Sequence, residues 1–114
     1  MKNTKFISVF LLVIPFLLVT SCKKSNLNDY PDFQGDWYGS ESSTNYEITI
    51  DSYGNASYIK TNGTTTATFT GRLIVKNEDD ELKIGIKKFD IDQYPKEAGG
   101  DWGMTLDGID YYKY

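Results

Sequence analysis

Side chains alternate between oily and polar along most of this chain, and that alternation fixes the class of fold. Residues 46–50, YEITI, place Tyr46, Ile48 and Ile50 on one side and Glu47 and Thr49 on the other. Residues 66–75, TATFTGRLIV, set Ala67, Phe69, Leu73 and Val75 against Thr66, Thr68, Thr70 and Arg72. LKIGI at 82–86 repeats the pattern with Leu82, Ile84 and Ile86. A period of two marks half-buried antiparallel strands. No segment beyond the first 21 residues carries a helical period.

Turn residues fall between the runs. Asn62-Gly63 and Asp107-Gly108 suit two-residue loops, which need positive φ. The first predicts Tyr58 opposite Ala67 and Ala56 opposite Phe69. The second predicts Leu106 opposite Ile109 and Met104 opposite Tyr111. One place breaks step: Leu82, Ile84 and Ile86 are even-numbered, Phe89 and Ile91 odd. A β-bulge near Lys87 and Lys88 is expected there, in preference to two separate strands.

These signals predict strands over 35–41, 45–51, 56–61, 64–76, 81–92, 101–106 and 109–114. The expected fold is all-β: an antiparallel meander of six or seven strands, either a small up-and-down barrel or a compact sandwich. An interior of that size is filled by Trp37, Ile48, Ile50, Phe69, Leu73, Ile84, Ile86, Met104 and Leu106, which disfavours an internal lipid cargo.

The first 21 residues are of another kind. Lys2 and Lys5 precede an uncharged apolar run over 6–19, interrupted by Pro15. The run is shorter than the roughly 20 residues that cross a bilayer as a helix, so the pattern is that of a signal peptide removed from the mature protein. Cys22 follows, the one cysteine of the chain. An odd cysteine in an exported protein has no internal disulfide partner.

Val19-Thr20-Ser21-Cys22 resembles the lipobox of bacterial lipoproteins. The resemblance implies cleavage before Cys22 and lipidation of its sulfur, and two or three acyl chains make a lasting anchor. Lys23, in place of an Asp after the cysteine, leans by the same resemblance toward the outer membrane. The expected organisation is a lipoprotein signal peptide over 1–21, a lipidated Cys22 with a flexible tether over 22–32, and a small β-domain over 33–114.

The chain carries 12 basic and 16 acidic residues, for a net charge of −4, and loses Lys2 and Lys5 with the leader. That balance argues against nucleic acid, which needs a basic face. There is no histidine, so no Ser-His or Cys-His pair can form. Carboxylates adjoin at Asp79 with Asp80, Asp90 with Asp92 and Glu97 with Asp101, and NEDDE at 77–81 is expected as a solvated loop. No catalytic residue, metal site or cofactor is expected, and no enzymatic activity.

Aromatic residues carry the remaining signal. Gly35 and Trp37 resemble the Gly-x-Trp opening of lipocalin-like domains, in which the two residues close one end of a barrel. Tyr38, Tyr112 and Tyr114 fall on the face opposite the expected core, while Tyr53 and Tyr94 are placed in loops. Outward tyrosines suit recognition; they equally suit cross-strand pairs that stiffen a thin sheet. The whole layout, with its closing WGMTLDGIDYYKY, is similar to small Gram-negative cell-envelope lipoproteins. The resemblance implies an envelope location and a barrel-like architecture.

The expected role is a surface binding module for a protein or glycan, with Tyr38, Tyr112 and Tyr114 as ligand-binding candidates. Two alternatives stand beside it. One is an inhibitor or immunity protein that blocks an envelope-targeting hydrolase through loop 77–81 or 95–100, and the other is a structural envelope component.

Overall fold

The computed structural model describes residues 25–113; the leader, Cys22 and Tyr114 lie outside that range. Eight antiparallel strands follow one another in chain order and close into a barrel: β1 (Gly35–Glu41), β2 (Thr44–Ile50), β3 (Asn55–Asn62), β4 (Thr65–Lys76), β5 (Glu81–Ile84), β6 (Lys87–Ala98), β7 (Asp101–Leu106) and β8 (Ile109–Lys113). The last strand returns to the first, with Tyr38 opposite Tyr112. The small barrel, one of the two expected architectures, is the observed one.

The strand count is eight rather than six or seven because the segment 81–92 is two strands. Ile84 pairs with Lys87 across a two-residue turn, Gly85-Ile86, and Gly85 has φ +61°. Positive φ at the first loop position is what glycine supplies in a type II′ hairpin. A Cβ there would lie 2.4 Å from the Thr70 carbonyl oxygen, so glycine is also required by space. No bulge occurs at Lys87 and Lys88; the irregularities of β6 lie further on, between Ile91 and Gln93 and between Gln93 and Lys96.

The switch from even to odd core positions follows from hairpin arithmetic. A two-residue loop joins residues i and i+3, so facing partners always have opposite parity. Trp37 faces Ile48, Leu82 faces Phe89 and Met104 faces Tyr111. Ile86, expected in the core, sits at the turn and is 86% exposed.

The Asp107-Gly108 turn forms as expected, with positive φ at both residues, Leu106 opposite Ile109 and Met104 opposite Tyr111. The other hairpin turns one residue later than expected, at Gly63-Thr64, so Tyr58 faces Phe69 and Ala56 faces Gly71. The slip is two residues in register and leaves every side chain on its expected face. The core holds Trp37, Ile48, Ile50, Leu73, Ile84, Met104 and Leu106 fully buried, joined by Leu82, Phe89 and Tyr111, while Phe69 is only half-buried.

Residues 25–32, expected as a flexible spacer, instead belong to the domain and close one end of the barrel. Two short 3-10 turns, Leu27–Asp29 and Pro31–Phe33, bury Leu27 and Phe33. The Trp37 indole N–H donates to the Phe33 carbonyl at 2.8 Å. Lys113 Nζ donates to the carbonyls of Asp32 at 2.9 Å and Gln34 at 2.8 Å, and lies 4.8 Å from the Trp37 ring centre and 4.7 Å from that of Trp102. Partial burial holds its pKa below the ordinary lysine value.

Candidate functional site

Because the barrel closes through β1 and β8, two residues far apart in sequence become direct neighbours. Tyr38 faces Tyr112 on β8 and Glu47 on β2, and Glu47 in turn faces Ile59 on β3. Trp37 points inward, so alternation turns Tyr38 outward. The result is a row of side chains, Tyr112, Tyr38, Glu47 and Ile59, running across four strands. The next row holds Ser40, Asn45 and Thr61, with Asp110 beside them, and the two rows line a groove of about 530 Å³.

Tyr38 is 43% and Tyr112 49% exposed, so each keeps about half of its surface accessible. Gly39 sets how closely β1 approaches β8. A Cβ on it would lie 2.8 Å from the Asp110 carbonyl oxygen and 3.3 Å from the Tyr111 ring. Glycine therefore lets the Tyr111 ring lie under the groove, edge-on to Tyr46 at 6.2 Å. Tyr111 and Tyr58 share a hydrogen bond, and burial is the main cause raising both phenols above their ordinary pKa. Both phenols are therefore neutral.

Among the described residues the groove's charge is all of one sign. Glu47 and Asp110 line it, and no described lysine or arginine does. Asp110 Oδ1 accepts from Thr105 Oγ1 at 2.7 Å, which steadies one carboxylate at the rim. The arrangement offers flat aromatic surface for stacking, two carboxylates as hydrogen-bond acceptors, and hydroxyl and amide groups as further partners.

Of the candidates expected from sequence, Tyr38 and Tyr112 are brought together, whereas Tyr114 and Cys22 lie outside the described residues. Glu47, Ile59 and Asp110 were not singled out by sequence: Glu47 and Ile59 join Tyr38 through the β1–β2 and β2–β3 pairings, and Asp110 through the β1–β8 register, which no local pattern encodes. Tyr53 does sit in a loop, exposed. Tyr94 does not: it lies within β6, half-buried and edge-on to Phe33 at 6.2 Å. Its hydroxyl donates to Asp80 Oδ1 at 3.0 Å, and its pKa is pushed up to about 12, first by burial and then by that bond.

Several acidic groups that could be suspected of chemistry are occupied by the backbone. Asp107 Oδ1 accepts from the Asp90 amide and Asp92 Oδ2 from the Gly108 amide, both at 2.7 Å. Asp51 Oδ1 accepts from the amides of Tyr53 and Asn55, each at 2.9 Å; the Asn55 amide is the chief cause of that carboxyl's lowered pKa. Residues 95–98 continue β6 and leave only a glycine tip, Gly99-Gly100, before β7. Among the described residues, no group of three or more His, Cys, Asp or Glu is placed to hold a metal ion.

No protein-family model matches this chain, nor does any curated protein or any solved structure.

Proposed function

We propose that the protein is a lipid-anchored component of the bacterial cell envelope, held through Cys22, whose barrel displays the Tyr38–Tyr112 groove to an external glycan or protein partner. The observation that carries the reading is the pairing of two half-exposed tyrosines beside two carboxylates in one concavity. A glycan fits it best. Sugar rings present C–H faces that stack on tyrosine, and their hydroxyls donate to carboxylates such as Glu47 and Asp110. The role needs no catalytic residue, metal or cofactor. The outer membrane is the expected address, with the domain standing off the lipid on a link shorter than composition suggests, since residues 25–32 are part of the fold.

Binding of the full chain to an array of envelope glycans tests this. Retention is expected to fall at least tenfold in both Tyr38→Ala and Tyr112→Ala, with melting temperatures little changed. Retention unaffected by either substitution, or capture of protein partners alone, would remove the glycan reading.

A further inference from the structure

Strand β4 outruns its neighbour. It spans Thr65–Lys76, but β5 pairs only with Leu73 to Lys76. Backbone groups of alternate residues point to opposite edges of a strand. The Leu73 amide donates to the Gly54 carbonyl on the β3 side, and the β3–β4 register runs unbroken from Arg72 to Thr65. Odd residues therefore face β3, and Thr66 and Thr68 direct their N–H and C=O to the other edge. Among the described residues nothing pairs with them there. Residues 65–68 are exposed on both faces.

Free edges are ordinarily guarded by charge, proline or a bulge. This one has none of the three: residues 61–71, TNGTTTATFTG, contain neither a charged residue nor a proline, and the register is regular. We infer that this edge pairs with the same edge of a second copy, adding β4 to β4 antiparallel about a two-fold axis.

Two observations select a second copy. The chain is acidic, at −4, and 61–71 is the longest uncharged run of the described chain, so two copies meet along this edge without acid facing acid. The charge nearest Ala67 in the pairing is Lys60, on the far side from the free edge. The register is also self-complementary. With Ala67 opposite Ala67 on the axis, Thr66 of each copy faces Thr68 of the other, and their free groups close two pairs of backbone hydrogen bonds. The axial pair is the non-hydrogen-bonded kind, whose Cα atoms approach to about 4.5 Å, a place suited to alanine. Thr65 of one copy then lies over Phe69 of the other, covering a ring left half-buried in the single barrel. A contact of one strand edge falls well short of the roughly 1,200 Å² of stable complexes, so the pairing is weak and concentration-dependent. It is independent of the tyrosine groove.

Sedimentation equilibrium of the full chain in a mild detergent, over about 10 μM to 1 mM, tests the pairing. The weight-average mass is expected to climb toward the dimer with concentration. Ala67→Lys and Ala67→Asp, each on an exposed residue and checked for unchanged circular dichroism, are expected to stay monomeric alone and to pair when mixed. A wild-type mass that stays monomeric throughout, a dimer that persists in Ala67→Lys, or a mixture of the two variants that fails to associate would overturn the inference.

Discussion

The two ends of β4 pose the same problem and answer it differently. At its C-terminal end β4 runs past β3, which begins at Asn55 opposite Arg72, and leaves Val75 without a strand partner on that side. Asn26 supplies one: its side-chain amide donates to the Val75 carbonyl at 2.7 Å and its carbonyl accepts from the Val75 amide at 2.8 Å. At its N-terminal end β4 runs past β5, and no side chain of the described residues does the same for Thr66 and Thr68. Covered edges occur where the barrel is sealed and apolar residues are buried; the uncovered one carries threonines that water can satisfy. Stability therefore concentrates at the end closed by residues 25–34.

The sharpest way to break that contrast is Trp37→Ala. Trp37 is fully buried, ties β1 to the Phe33 carbonyl and provides one of the two rings around Lys113. Removing a buried aromatic costs about 3–5 kcal/mol, a large share of the roughly 5–15 kcal/mol available to a domain. Urea titration should show the variant mostly unfolded or with its midpoint greatly lowered. A cost under about 1 kcal/mol would mean that the sealed end does not hold the barrel.

A finer cut compares the two ends of one strand. Asn26→Ala strips both partners from the Val75 backbone and should cost about 1–3 kcal/mol, with Val75 losing protection in hydrogen exchange. Thr68→Ala, at the open end, should change stability by no more than about 0.5 kcal/mol. Equal effects would erase the distinction between a covered and an uncovered edge.

How much of this was legible follows from which interactions are local. Alternation in 46–50 and 66–75 named the strands, since burial of one face needs no knowledge of the neighbour. Asp107-Gly108 gave its hairpin because both residues tolerate positive φ. Composition failed for residues 25–32: a polar stretch reads as linker, yet Asn26 is polar because it must imitate a strand, and Leu27 and Phe33 supply the burial. The groove was half legible. Alternation turned Tyr38 and Tyr112 outward, but their adjacency, and the approach of Asp110 to Tyr38, depend on closure between the first and last strands.

Ile86 is the last and mildest test, and it concerns the open end. By alternation it extends Leu82 and Ile84 into the core, and a bulge was expected downstream to reconcile it with Phe89. The Gly85 turn instead ends the strand one residue earlier, so the parity change is absorbed by a two-residue loop and Ile86 is left in solvent. Ile86→Asn should therefore shift stability by no more than about 0.5 kcal/mol, whereas Ile84→Ala, two residues away and fully buried, should cost about 2–5 kcal/mol. Comparable losses from both in thermal unfolding would put Ile86 back inside and restore the continuous, bulged strand. A wide gap supports the turn, and with it the eight-stranded closure that brings Tyr38 to Tyr112.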